Sequence, residues 1–561
     1  MQADISAAIA ARYQDLNIEW DVDVTAYPSI VSLFEEAMHN FADLPVCSSL
    51  GHALTYQELD RLSANFASWL QRDSGLAKGD RVAIQMPNLM QYLVACMGTL
   101  RAGMVVVNTN PLYTERELEH QLNDSGARVL VVQANVAEVA SKVVAKTKVE
   151  QVVLTEIADL HPAPKRWLVN GVVKYVKKMV PKVHFSNVIK FNEALRRGAT
   201  QAFTPVDVSL DDLAMLQYTG GTTGLAKGAM LSHGNIVANV MQLDGFFETF
   251  GIEAQGSVFM QPLPVYHIYA FTISMYSLKK GAHTLFIPNP RDLGSVVDAF
   301  EQYKPTVFCG LNTLFVALCN DPRFQNLTFE NLALTMSGGM ALTQDAAERW
   351  AEVTDCKVYE GYGLTETSPT ATSNPGNGRQ LGTIGIPVPQ TEVKTVNEHG
   401  EALGFGEAGE LCIKGPQVMQ GYWQRPEATA EVLDESGWFS TGDVAVIQPD
   451  GYLKIVDRIK DMIIVSGFNV YPNELEDVCA KHSGVLECAA VGVPSETTGE
   501  GIRMYVVKSD SALTEDDIIA YMREQVTGYK VPKSVVFRDE LPKTNVGKIL
   551  RRELRDEAAN D

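Results

Sequence analysis

At 561 residues the chain exceeds what a single hydrophobic core supports, so two or three domains are expected. A net charge of -21 argues against general nucleic-acid binding, and a hydrophobic share of 46% excludes a disordered or fibrous protein. The 8 cysteines are scattered singly between Cys47 and Cys488, with no Cys-x-x-Cys pair and no His/Cys ligand spacing, which fits a reducing compartment and leaves no zinc or redox motif.

The first residues carry acids early and lack a basic-then-apolar pattern, so no signal peptide is expected. No apolar window reaches the roughly eighteen residues of a membrane span, and a cytoplasmic location is expected. In chain order, 80–84 predicts a strand, 89–101 a helix and 104–108 a strand. Thr114-Glu-Arg-Glu117 is a capping box opening a helix to about residue 123, and 128–133 is the next strand. This alternation predicts a parallel sheet with helical crossovers. It recurs at 284–287, 296–302, 306–309 and 332–337, so the larger part of the chain reads as α/β. From about Gly385 the texture changes to short β-like pieces broken by glycine and proline, such as 409–415. After Asp461 comes a smaller unit of about a hundred residues, a usual domain size, with strands near 488–493 and 502–507 and helices at 516–526 and 549–557.

Three stretches carry chemistry on their composition alone. Tyr218-Thr-Gly-Gly-Thr-Thr-Gly-Leu-Ala-Lys227-Gly-Ala229 follows the apolar run 213–216 and precedes a helix-like segment, 230–243. It is dense in backbone N–H groups and hydroxyls with one cation, which suits phosphate oxygens, and it does not align with a Walker loop. Residues 262–275 are apolar and aromatic, contain no acid and include His267. Lys165, Arg166, Lys174, Lys177, Lys178, Lys182 and Lys190 lie in a stretch without acids, interleaved with Trp167, Tyr175 and several valines. That is the composition of an interfacial basic amphipathic segment, or of a surface helix with its apolar face on the core.

The loop at 218–229, Tyr362-Gly-Leu-Thr-Glu366, Ser440-Thr-Gly-Asp443, Asp457-Arg-Ile-Lys460 and Lys543-Thr-Asn-Val-Gly-Lys548 together resemble the adenylate-forming enzymes in order and spacing. That superfamily includes acyl-CoA synthetases, firefly-type luciferases and peptide-synthetase adenylation domains. The blocks 437–443 and 456–472 look most like the bacterial long-chain-fatty-acid–CoA ligases. The resemblance implies an N-terminal adenylation domain, 1–457, built of α/β subdomains with parallel-type sheets plus a small β-barrel-like part. It implies a hinge at 458–460 centred on Lys460 and a mobile α+β C-terminal domain, 461–561. The implied reaction has two halves: a carboxylate attacks the α-phosphorus of ATP to give an acyl-adenylate and pyrophosphate, and the coenzyme A thiol then displaces AMP.

By the same resemblance, Thr219, Gly220, Gly221, Thr222, Thr223, Gly224 and Lys227 hold the β- and γ-phosphates, with Gly220 standing where many relatives carry serine. Gly338, Gly339, Glu360, Gly361, Tyr362 and Gly363 wall the adenine, Thr365 contacts the α-phosphate, and Glu366 carries Mg²⁺. Asp443 and Arg458 meet the ribose, although a surface ion pair is the plainer account of Asp457 with Arg458. Lys548 is the catalytic lysine and His267 lies near the substrate carboxylate, a position that a buried structural histidine fills as readily. Tyr266 and Phe271 line the acyl pocket, and Gly467 and Phe468 the coenzyme A channel. The implied partners are ATP, a fatty acid, coenzyme A and the inner membrane face through Lys165 to Lys190, with no nucleic acid and homodimerisation left open. The rivals are an aryl-CoA ligase, an acyl-AMP ligase loading a carrier protein, and a catalytically silent fatty-acid binder.

Overall fold

The computed structural model describes residues 2–219, 226–495, 497–544 and 548–559. The alternation read between 80 and 133 becomes strands Arg81–Gln85, Val105–Thr109 and Val129–Gln133 with helices Met90–Arg101 and Glu115–Ser125 between them. The Thr114 box closes as expected, its hydroxyl accepting the Glu117 N–H while the Glu117 carboxylate accepts the Thr114 N–H. These strands pair in parallel with Gln151–Thr155, Val188–Lys190 and Leu213–Thr219 in a seven-stranded sheet. The sheet ends in an antiparallel partner, Lys227–Ser232.

That partner corrects the expected helix over 230–243. Residues 227–232 are a strand whose Ala229, Met230 and Leu231 pair with Gln217, Leu216 and Met215. The helix, His233–Glu248, starts only where the Ser232 hydroxyl accepts the Asn235 N–H. Ala, Met and Leu are good helix formers, and here the long-range pairing overrides their propensity.

A second, nine-stranded sheet takes its central parallel strands from 258–363 and borrows the hairpin Pro45–Ser49 and His52–Thr55 from near the amino terminus. Strands buried on both faces by helices need apolar residues throughout, as in Val82, Ala83 and Ile84 or Val105, Val106 and Val107. Glu392–Val396, Gly409–Lys414, Phe439–Ile447 and Leu453–Arg458 form an antiparallel four-stranded sheet. The carboxyl-terminal unit has its own five-stranded sheet around Val485–Ser495 and Gly499–Lys508, and its own core of Ile463, Leu475, Met504, Ile518 and Met522. All eight cysteines are free and buried. Among the described residues no helix is long and apolar enough to cross a membrane.

The helix Ala163–Gly171 and the wider turn that continues it, Val172–Val176, contain no buried residue. Trp167 and Leu168 are each 68% exposed, and Tyr175 and Val176 each 73%. Of the two accounts of this stretch, the surface helix packing its apolar face on the core is therefore not what forms. Lys165 ties its start to the large unit by donating to the Leu50 and Gly51 carbonyls, both at 2.9 Å.

Candidate active site

A cleft of about 2540 Å³ runs between the ends of both parallel sheets, the antiparallel sheet and the small unit. Tyr362, on the strand Val358–Gly363, donates its hydroxyl to Asp443 Oδ2 at 2.6 Å. Asp443 faces Arg458 across the antiparallel pair, and its Oδ1 takes the Arg458 Nε at 3.2 Å. Arg458 thus pairs with Asp443 and not with Asp457, whose side chain is wholly buried. Asp443 keeps unused lone pairs for further donors such as hydroxyls.

Glu366 is nearly buried in a short turn, Thr365–Thr367. Its Oε1 accepts the Tyr422 hydroxyl at 2.7 Å, and burial raises its pKa. The Lys227 ammonium lies 4.9 Å from the centroid of the same Tyr422 ring. Tyr422 was not singled out by the sequence, and no local motif marks it: it reaches the site because Ala229 bridges its backbone from the Lys227–Ser232 strand. Gly220, Gly221, Thr222, Thr223 and Gly224 lie outside the described residues. The flanking residues Thr219 and Lys227 pair with each other across the hairpin.

Glycine is favoured at Gly338 by contact distance and at Gly339 by its positive φ. A Cβ on Gly338 would press within 3.2 Å of the Tyr269 ring, and Gly339 has φ +85 with the Lys548 Cε 3.8 Å from where its Cβ would be. Gly363 is tighter still, since a Cβ there would sit 1.8 Å from the Pro369 carbonyl. Glu360 accepts the Leu342 N–H at 3.3 Å, and burial, with the Asp477 charge facing it, pushes its pKa up to about 8.

Lys548 enters the cleft from the small unit, tied by two hydrogen bonds to Thr544. Lys543 is braced by both carboxylate oxygens of Glu487, at 2.7 and 2.8 Å. Burial, then the nearby Arg458 charge, lowers the Lys548 pKa to about 8, while Asp443 and Glu366 pull it back up. His267 caps the helix Ile268–Lys279, its Nδ1 accepting the Tyr269 N–H at 3.3 Å. Burial and then the Lys548 charge drive its pKa down to about 3, so it is neutral at ordinary pH. The Tyr266 carbonyl accepts the Gln217 amide at 2.8 Å, with the residue at the cleft wall. Phe271 is fully buried away from the cleft. Lys460 is exposed, its carbonyl taking Arg555 Nη1 at 2.7 Å. Gly467 and the exposed Phe468, stacked on Tyr529, also lie outside the cleft.

The structure therefore brings together side chains from four separated stretches at one place: the hairpin residues Thr219 and Lys227, the Tyr362 ring with the buried Glu366 carboxylate, the Asp443 acceptor and the Lys548 cation of the small unit. Residues 34–423 match the AMP-binding enzyme family and residues 474–548 match the AMP-binding enzyme C-terminal domain. The chain belongs to the AMP-binding enzyme family. This AMP-binding enzyme is 52% identical to the long-chain-fatty-acid–CoA ligase of Salmonella typhimurium, over 96% of each chain. It is 36% identical to the long-chain-fatty-acid–CoA ligase of Bacillus subtilis, over 94% of each. It superposes on ATP-bound MatB from Rhodopseudomonas palustris with a TM-score of 0.80 and 30% identity, covering 94% of this chain and 98% of that one.

The lowered Lys548 pKa has a sign that binding can report. The ammonium is present below about pH 8 and lost above it, and phosphate oxygens favour it, so nucleotide binding should take up a proton near and above that pH. Calorimetric titration with a non-hydrolysable ATP analogue should show weakening affinity between about pH 7 and 9, and Lys548→Arg should flatten it, since arginine stays charged. Neutral His267 should add no step in the usual histidine range.

Proposed function

We propose that this AMP-binding enzyme activates a long- or medium-chain fatty acid to its acyl-CoA through an acyl-adenylate, consuming ATP and releasing AMP and pyrophosphate. The observation that carries the reading is the convergence of Lys548, Asp443, Arg458 and Glu366 in one cleft, where their charges act on one another. Names of the relatives at 52% and 36% identity support the substrate class. So does the segment 262–275, largely buried and without an acid to pair the ammonium of an amino acid. Each methylene buried in an apolar tunnel would contribute about 0.8 kcal/mol, which favours long chains.

In this reading the large unit, 1–457, holds the nucleotide and the acyl group, 458–460 turn, and 461–561 bring Lys548. Tyr362, Gly361 and Gly363 with the Gly338–Gly339 turn flank the adenine, and Asp443 accepts from the ribose hydroxyls. Thr219 and Lys227 donate to the outer phosphates, and Thr365 to the α-phosphate. Lys548 bridges the α-phosphate and the attacking carboxylate, placing positive charge where negative charge grows. Neutral His267 offers the carboxylate a polar neighbour without a competing charge. Glu366 fits Mg²⁺: among the described residues there is no three-ligand metal cluster, and one buried carboxylate plus phosphate oxygens is the donor set Mg²⁺ accepts. Bound there, the ion would neutralise phosphate charge. For the second half, the small unit turns so that Gly467 and Phe468 meet the pantetheine arm, and Lys548 leaves.

The exposed helix at 163–176, with Lys174, Lys177 and Lys178 beside Trp167, Leu168, Tyr175 and Val176, docks the enzyme on the anionic cytoplasmic face of a membrane, where fatty acids partition.

Pyrophosphate release should follow oleate or decanoate and be absent without acid. A 4-coumarate preference would favour an aryl ligase, no release a silent binder, and release without acyl-CoA on adding coenzyme A a carrier-loading enzyme. Lys548→Ala should abolish adenylate formation in single-turnover assays and spare thioester formation from supplied acyl-AMP. Equal loss of both halves contradicts the assigned role. Reversing the charges of Lys174, Lys177 and Lys178 should release the protein from phosphatidylserine vesicles at low salt, and unchanged sedimentation removes the docking surface.

A further inference from the structure

Asp457 is the next-to-last residue of the last strand of the large unit's antiparallel sheet, Leu453–Arg458, and its side chain is wholly buried. Oδ1 accepts the Arg458 N–H at 2.7 Å. Oδ2 crosses to the small unit and accepts the Asn473 N–H at 2.8 Å. Asn473 is the second residue of the helix Pro472–Cys479, whose own N-cap, Tyr471, makes no side-chain cap hydrogen bond. Pro472 has no N–H to offer, so the Asn473 N–H is the first donor of that helix, and the carboxylate meets it at the positive end of the helix. A residue before the hinge therefore caps a helix beyond it.

The contact continues toward the reacting centre. Asn473 Nδ2 donates back to the Val456 carbonyl at 3.4 Å, and its Oδ1 accepts Arg551 Nη2 at 2.7 Å. Arg551 Nε donates to Glu476 Oε1 of the capped helix at 3.0 Å, and Arg551 opens the helix Arg551–Ala558 just after Lys548. The Arg551 charge also faces Asp457, drawing its pKa down against burial, which raises it to about 6. Asp457, Asn473 and Arg551 form one chain of contacts that spans the hinge and ends three residues beyond Lys548.

We propose that Asp457 is an interdomain cap: it holds the small unit in the arrangement that puts Lys548 in the cleft, and so sets the balance between the two half-reactions. This rests on the two-step reaction and hinge proposed above. Turning about 458–460 to withdraw Lys548 takes the Asn473 N–H off Oδ2, leaving a bare helix end and a carboxylate without its partner. Asp457 is a positioning residue, since it acts through the small unit.

The test compares both half-reactions in the full-length wild type, Asp457→Ala and Asp457→Asn, together with tryptic cleavage at the exposed hinge residues Arg458 and Lys460. With oleate and ATP, Asp457→Ala should slow single-turnover adenylate formation about fivefold to tenfold, the effect of losing one helix cap. Thioester formation from supplied oleoyl-AMP and coenzyme A should be unchanged or faster, and hinge cleavage should quicken. Asp457→Asn, which keeps an acceptor oxygen and loses the charge, should fall between. Equal slowing of both halves in the two variants, or no change in either half or in cleavage, overturns the cap. If Asp457→Ala fails to fold, the same comparison in Asp457→Asn decides. A wild type that forms no adenylate overturns the reaction instead, so the two failures are distinct.

Discussion

Burying an ammonium that has no anion bonded to it is the constraint around which this molecule is arranged. Among the described residues the Lys548 Nζ makes no hydrogen bond; burial and Arg458 oppose its charge, and Asp443 and Glu366 offset them only in part. A largely enclosed cation without a bonded anion is unfavourable, so other contacts must hold the lysine in place. The Thr544 hydrogen bonds, the Lys543–Glu487 brace and the Arg551 contacts with Glu476 and Asn473 supply them. An anion arriving in the cleft reverses the sign of the term, and the same lysine becomes an attraction between the two units. That reversal gives a physical route by which a bound nucleotide can govern domain position.

Preorganisation on the other side of the cleft relies on shared partners. One ring, Tyr422, touches the Lys227 ammonium with its face and the Glu366 carboxylate with its hydroxyl. One carboxylate, Asp443, holds both Tyr362 and Arg458. Such double use fixes side chains from the hairpin, the second parallel sheet and the antiparallel sheet relative to each other without a dedicated scaffold. It also makes the site a property of the assembled large unit, since no single element contains two complete contacts.

Much of this was legible in the sequence wherever the information is local. The strands and helices between 81 and 133, the Thr114 and Thr514 capping boxes and the separate small unit follow from periodicity and cap chemistry. The motif residues were legible because spacing and residue type survive without coordinates. What was missed depends on distant pairing. The 227–232 strand is made by the sheet edge it joins, and the 45–55 hairpin belongs to a sheet whose other strands begin about two hundred residues later. Tyr422 carries no motif, and Asp457 looked like half of a surface pair with its neighbour because chain adjacency says nothing about which side chain turns inward.

The buried cysteines have a chemical meaning in the proposed reaction. An acyl-adenylate is a mixed anhydride that any accessible thiolate would intercept, so a protein that makes one risks acylating itself. Here Cys309 and Cys488, the latter at the cleft edge, are sequestered: burial raises the first to about 12, and the hydrogen bond with Cys479, then burial, raises the second well above the ordinary thiol range. The enzyme's own sulfur is thereby kept poor as a nucleophile, and the acceptor's thiol meets the activated carbonyl without an internal competitor.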